Sequence, residues 1–166
     1  MCIRDRLEGV QSGNLHTPDF LILDGQQRLT TLYQVLKSTG PVATRSATNK
    51  DKVIYRHYYI DIRKALDQTA DRLDAIVSIN EKKQLTEDIG RTVILDLSTR
   101  ENEFKELMYP LNIALDLSAS SDWMLELNDY YAGDASIRTL YKEFSQQVLR
   151  NIQSYKIPII NVTKDA

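Results

Sequence analysis

Apolar positions along the chain change period several times, and each change marks an element. Phe20-Leu21-Ile22-Leu23, after Pro18, is a continuous apolar run that predicts a buried strand. Asp24-Gly25 punctuates it. From Gln26 onward, Leu29, Leu32 and Leu36 recur at helical spacing until Gly40-Pro41 closes the segment. The first unit therefore reads as strand, tight turn, helix. Residues 42–52 are polar and read as a loop, and residues 53–62, rich in Ile and Tyr, as a strand. Leu73, Ile76 and Val77 suggest a helix within 67–79, while 93–97 and 111–117 read as short extended segments.

The last third is helical in pattern. Ser121 or Asp122 is placed to cap a helix carrying Trp123, Leu127 and Tyr130. After Gly133, the residues Ile137, Leu140, Tyr141, Phe144, Val148, Ile152 and Tyr155 form one apolar stripe over about five turns, which Pro158 ends. Residues 157–162 then read as another buried strand, with Pro158 tolerable near its start. The expected fold is α/β or α+β: a small mixed sheet followed by a helical region from about Ser118.

Composition narrows the function classes. The 166 residues are 42% hydrophobic and 27% charged, as in ordinary globular chains. A net charge of -2 gives no support to a strongly basic nucleic-acid surface. Cys2 is the one cysteine, so no intrachain disulfide forms, which suits a cytoplasmic location. His16 and His57 are far apart, and no Cys/His metal spacing exists. The apolar runs fall well short of the ~20 residues that span a bilayer. Residues 1–6, MCIRDR, look like a non-native leader. Thr163-Lys164-Asp165 looks like the cap of a helix that does not follow, so the chain reads as a fragment truncated at its C-terminus.

The chemistry concentrates in Asp24-Gly25-Gln26-Gln27-Arg28-Leu29-Thr30-Thr31-Leu32. A strand feeding a helix through a glycine turn presents free N–H groups and the positive end of the helix dipole, which favour an anion. Gly25 allows positive φ, and Arg28 offers a planar fork suited to phosphate. Thr30 and Thr31 add hydroxyls. Asp24 can hold a metal ion or a ribose hydroxyl, and Gln26 and Gln27 can bond a phosphate, a base edge or a water. The plainer alternative is that Asp24 caps the helix and pairs with Arg28 across one turn, contributing about 0.3–0.5 kcal/mol. The motif has no lysine and one glycine, unlike a Walker A loop or a GxGxxG turn.

This nine-residue string resembles the signature of the GmrSD restriction endonuclease N-terminal domain family, which in turn resembles the ParB/sulfiredoxin fold. Tyr58-Tyr59-Ile60-Asp61-Ile62, then Val93 to Arg100, then Tyr155-Lys156-Ile157-Pro158 also fit that family. The resemblance implies a nucleoside triphosphate (ATP or GTP) held by Gly25, Gln26, Gln27, Arg28, Thr30 and Thr31. It implies catalytic roles for Asp24, Gln27 and Arg28, with Asp24 as a Mg2+ ligand. It divides the chain into the leader, a partial ParB/sulfiredoxin-like nucleotide-binding region over 7–117, and a helical region with a returning strand over 118–166. The parent protein would be an anti-phage, modification-dependent restriction enzyme that meets DNA through parts absent here; the family's second motif, Phe-x-Arg-x-Asn, and its HNH-type nuclease domain are also expected beyond this chain. The alternatives are a nucleotide-sensing module without hydrolysis and a direct DNA-binding module. A Tyr55, His57, Tyr59 strand face able to stack a base, and a charged Asp61-Ile62-Arg63-Lys64 cluster, are lesser candidates.

Overall fold

A computed structural model describes residues 22, 24–46, 48, 49, 51–88 and 91–160. Its organising strand is β2 (Val53–Asp61), which β-branched and aromatic residues favour. β3 (Ile76–Asn80) runs along one edge of β2, from Arg56↔Asn80 to Ile60↔Ile76. Two short strands share the other edge. β1 (Val42–Arg45) pairs with residues 53–56, and β6 (Met108–Pro110) with residues 59–61. His57 and Tyr58 lie in the gap between them. A separate hairpin joins β4 (Gln84–Glu87) to β5 (Thr92–Asp96), with a bulge at Leu85/Thr86. Every described pairing is antiparallel, so the fold is α+β.

Alternation along β2 feeds two cores. Tyr59 joins Ile79, Leu97 and Met108 beneath the β4–β5 hairpin. Ile60 faces the helices: α2 (Ile62–Leu66), α3 (Arg100–Glu106), α4 (Leu117–Tyr130) and α5 (Ala135–Phe144). Trp123, fully buried, packs edge-on against Phe104 and Tyr109, with ring centroids 5.2 and 5.1 Å apart. α5 continues through a π turn, Ser145–Leu149, into α6 (Arg150–Ser154). The Gln153 amide ties its end to the Ala114 carbonyl at 2.9 Å. α1 (Gln26–Lys37) lies against the 3-10 turn Leu111–Ile113, with Val35 and Leu36 packed on the core and Leu32 exposed.

Several elements depart from expectation. The segment read as a loop contains β1, an edge strand with Val42 as its one buried residue. The helix expected within 67–79 is a 3-10 turn, Arg72–Ala75, running into β3; Leu73 is exposed, so the helical spacing of Leu73, Ile76 and Val77 does not mark a buried face. Residues 111–117, read as extended, hold the 3-10 turn and the start of α4, with β6 just before them. Asp116, not Ser121 or Asp122, caps α4, its carboxylate accepting from the Ala119 N–H at 3.0 Å. Residues 157–160 form no strand: a strand needs a ladder partner, none pairs with them among the described residues, and Ile159 and Ile160 stand exposed. The strand expected at 20–23 lies outside the described residues except Ile22, which is exposed and has no regular structure.

Candidate functional site

The sequence-predicted turn is formed as a glycine-led helix start. Gly25 sits at φ 83°, a left-handed conformation that side-chain-bearing residues adopt at a cost. Its N–H donates to Asp24 Oδ1 at 2.7 Å, and its carbonyl accepts from the Leu29 N–H at 3.0 Å. Gly25, at the N-cap of α1, has no side chain to cap it, whereas Asp61, Thr99, Asp116 and Asp134 cap α2, α3, α4 and α5. The first-turn N–H groups of Gln27 and Arg28 precede the i→i−4 ladder. Arg28 folds back over Gly25, its Nη2 donating to Asp24 Oδ2 at 3.2 Å. Both side chains are largely in water, 78% and 93% exposed, so this ion pair itself stabilises little. The hydroxyls of Thr30 and Thr31 donate back to the carbonyls of Gln26 and Gln27, one turn earlier.

The turn thus brings Asp24, Gly25, Gln26, Gln27 and Arg28 together at an open surface. Both Asp24 oxygens already accept hydrogen bonds. Among the described residues, no group of three or more His, Cys, Asp or Glu is placed to hold a metal ion. Asp24 alone supplies one carboxylate, enough only for an ion that arrives on a ligand's own phosphates.

A second site, absent from the sequence reading, lies where β1 and β6 part along β2. A cavity of 280 Å³ opens there between the second half of α1, the β2 gap and α3. Its floor is Glu103, 2% exposed. That carboxylate accepts from the Tyr59 hydroxyl at 3.0 Å, Trp123 Nε1 at 3.3 Å, Arg100 Nη1 at 3.0 Å and Lys83 Nζ at 3.4 Å. Four donors offset the cost of burying its charge. Burial and Glu103 together raise the Tyr59 phenol far above its ordinary range, so it stays a donor. Lys83 reaches the carboxylate from a left-handed residue (φ 58°) in the β3–β4 turn, which Asn80 Oδ1 holds through the N–H groups of Lys82 and Gln84. A lone Glu in a polar stretch reads as a solvated helix position. The one local signal was Thr99, whose hydroxyl caps α3 by accepting from the Asn102 N–H at 3.2 Å.

The lesser candidates separate. His57 and Tyr59 both line the cavity, Tyr59 buried at Glu103, while Tyr55 is exposed farther along β2, so the strand presents no open row of three rings. Burial and the Lys83 ammonium hold the His57 ring below the usual histidine range. Asp61 caps α2 through the N–H groups of Arg63 and Lys64, and Ile62 is fully buried, so that cluster serves the fold. Among the described residues, no helix is long and apolar enough to cross a membrane. Comparison with known proteins returned no match to a family model, a curated protein or a solved structure.

Proposed function

We propose that this chain binds the phosphates of a nucleoside triphosphate, ATP or GTP, at the Asp24–Arg28 turn. The observation that carries the reading is the helix start itself: a left-handed glycine at the N-cap position and an arginine fork folded over the same turn. Outward N–H groups, the helix dipole and a guanidinium all favour a phosphate at this place. The string Asp-Gly-Gln-Gln-Arg-Leu-Thr-Thr-Leu and its resemblance to the GmrSD N-terminal domain support the same assignment.

In this reading Arg28 leaves Asp24 and forks onto phosphate oxygens. The Gly25 N–H leaves Asp24 Oδ1 as well, so that the backbone of Gly25 to Gln27 lines the anion, and Gln26 and Gln27 orient it or a water. The freed Asp24 carboxylate meets a magnesium ion carried by the nucleotide. Thr30 and Thr31 add hydroxyls for the nucleotide, turning from the Gln26 and Gln27 carbonyls to reach it. A parent restriction protein of the GmrSD type would couple hydrolysis at this turn to DNA cleavage elsewhere, and a ParB/sulfiredoxin-like arrangement would place the turn at its phosphate site.

A second reading is a nucleotide sensor without turnover. The exposure of Asp24 and Arg28 favours it, because an open turn excludes little water from a reacting phosphate. Calorimetric titration with ATP and GTP, with and without magnesium, tests binding. Arg28→Ala should weaken affinity by about 1.5–3 kcal/mol, roughly 10- to 150-fold. Phosphate release alongside binding selects the hydrolytic reading, and binding without release selects the sensor. Unchanged affinity in folded Arg28→Ala protein removes both.

A further inference from the structure

The cavity between β1 and β6 plays no part in nucleotide binding at the turn, and its walls carry unbalanced charge. Arg56, Lys83 and Arg100 line it against one carboxylate, Glu103. Arg100 is shared with Glu126, so three cations face two carboxylates and one positive charge is left unbalanced; burial and Lys83 favour the neutral His57 ring in the same wall. Lys83 and Arg100 are anchored on Glu103, and Arg100 also on Glu126. Arg56 differs. It is half-buried, yet it makes no ion pair and no side-chain hydrogen bond among the described residues. A guanidinium brings five donors, and withdrawing it from water without an acceptor is unfavourable. The strand gap adds to this demand. Successive residues of a strand direct their backbone groups to opposite edges, so one of His57 and Tyr58 presents its N–H and C=O to the unpaired edge between β1 and β6.

We propose that this cavity, which opens at the gap in the sheet, binds a small phosphate monoester, with Arg56, from the helix-facing side of β2, as the principal anion ligand and Lys83 and Arg100 on the opposite wall. A phosphate monoester brings three strong acceptor oxygens against the two of a carboxylate, for the five donors of Arg56 and those that Lys83 and Arg100 keep beyond Glu103. The 280 Å³ volume admits a phosphate with a sugar-sized body and excludes a nucleic-acid duplex. Glu103 is a positioning residue: held by Tyr59 and Trp123, it fixes the directions of Lys83 and Arg100 before a ligand enters. The site is independent of the Asp24–Arg28 reading. Arg28 lies six residues, or about 9 Å along α1, before Gln34, which is the first residue of that helix in the cavity wall.

Calorimetry with inorganic phosphate and with acetate, at low ionic strength, tests the proposal on the wild-type chain and on Arg56→Gln and Arg28→Ala. Phosphate should bind saturably to the wild type and to Arg28→Ala. It should bind about tenfold or more weakly to Arg56→Gln, the scale of one charge-assisted hydrogen bond, and acetate should bind more weakly than phosphate. Wild-type affinity in Arg56→Gln, acetate binding equal to phosphate, or no saturable phosphate binding by the wild type would each overturn the proposal. Loss of phosphate binding in Arg28→Ala alone would also overturn it, and would assign the anion to the turn. Should Arg56→Gln fail to fold, phenylglyoxal modification of the wild type decides: phosphate should slow modification of Arg56 and leave exposed Arg63 unchanged, and equal rates at Arg56 with and without phosphate refute the site.

Discussion

Replacing Glu103 probes the link between fold and cavity most sharply. In Glu103→Ala the Tyr59 hydroxyl and the Trp123 indole N–H lose their acceptor at positions 2% and 0% exposed. An orphaned buried donor costs about 1–3 kcal/mol. Lys83 and Arg100 lose the same partner, but their side chains are 37% and 43% exposed and regain water, so each adds only about 0–1 kcal/mol. Together the loss should be about 3–5 kcal/mol, the range for breaking a buried ion pair from one side. Glu103→Gln keeps one acceptor oxygen and turns an amide N–H₂ toward donors, so it should lose less, about 1–3 kcal/mol. Urea unfolding followed by fluorescence reads both, because Trp123 is the one tryptophan and sits at the carboxylate. A loss below about 1 kcal/mol for Glu103→Ala, with an unchanged denaturant slope, would refute Glu103 as the organising group of this region.

Three further outcomes are expected. Gly25→Ala should lose about 1–2 kcal/mol by denaturant unfolding, because φ 83° is unfavourable for an L side chain; the added Cβ meets the Arg28 guanidinium only at ordinary contact, 3.6 Å, so strain rather than collision sets the cost. Arg28→Ala without ligand should change the unfolding midpoint scarcely at all, since the exposed Asp24 pair is worth at most about 0.5 kcal/mol; a large drop would make the arginine structural. The His57 contribution to stability should be present above its unfolded value near 6.5 and lost as pH falls through its lower folded value, because the unfolded ring takes up the proton first; His57→Gln should flatten that acid slope in stability measured from pH 7 downward.

What the sequence revealed follows from where its patterns are local. The Val-Ile-Tyr run of β2, the glycine-led start of α1 and most of the stripe from Ile137 need only neighbours in sequence and appear where the pattern placed them; Tyr155, read as the last residue of that stripe, lies past the end of α6 and is exposed. β1 was hidden because an edge strand buries one residue in four and otherwise reads as a polar loop. α3 was hidden because a single buried apolar residue, Phe104, leaves no stripe. Residues 157–160 show the opposite error, since apolar composition alone does not provide a pairing partner. The five residues of the turn were legible as a contiguous string. The cavity was not, because Arg56, Lys83, Arg100 and Glu103 are brought together by β-pairing and a buried carboxylate across more than forty positions.

The most direct test of nucleotide binding at Asp24–Arg28 is a 1H–15N titration of the chain with a nucleoside triphosphate and magnesium, following the backbone amides of Gly25, Gln26, Gln27 and Arg28. Phosphates seated on this helix start should shift those four amides together, saturably, and the shifts should vanish in Arg28→Ala. Saturable shifts confined to other residues, or none in the folded chain, would contradict the account and leave Asp24 and Arg28 as a brace for the first turn of α1.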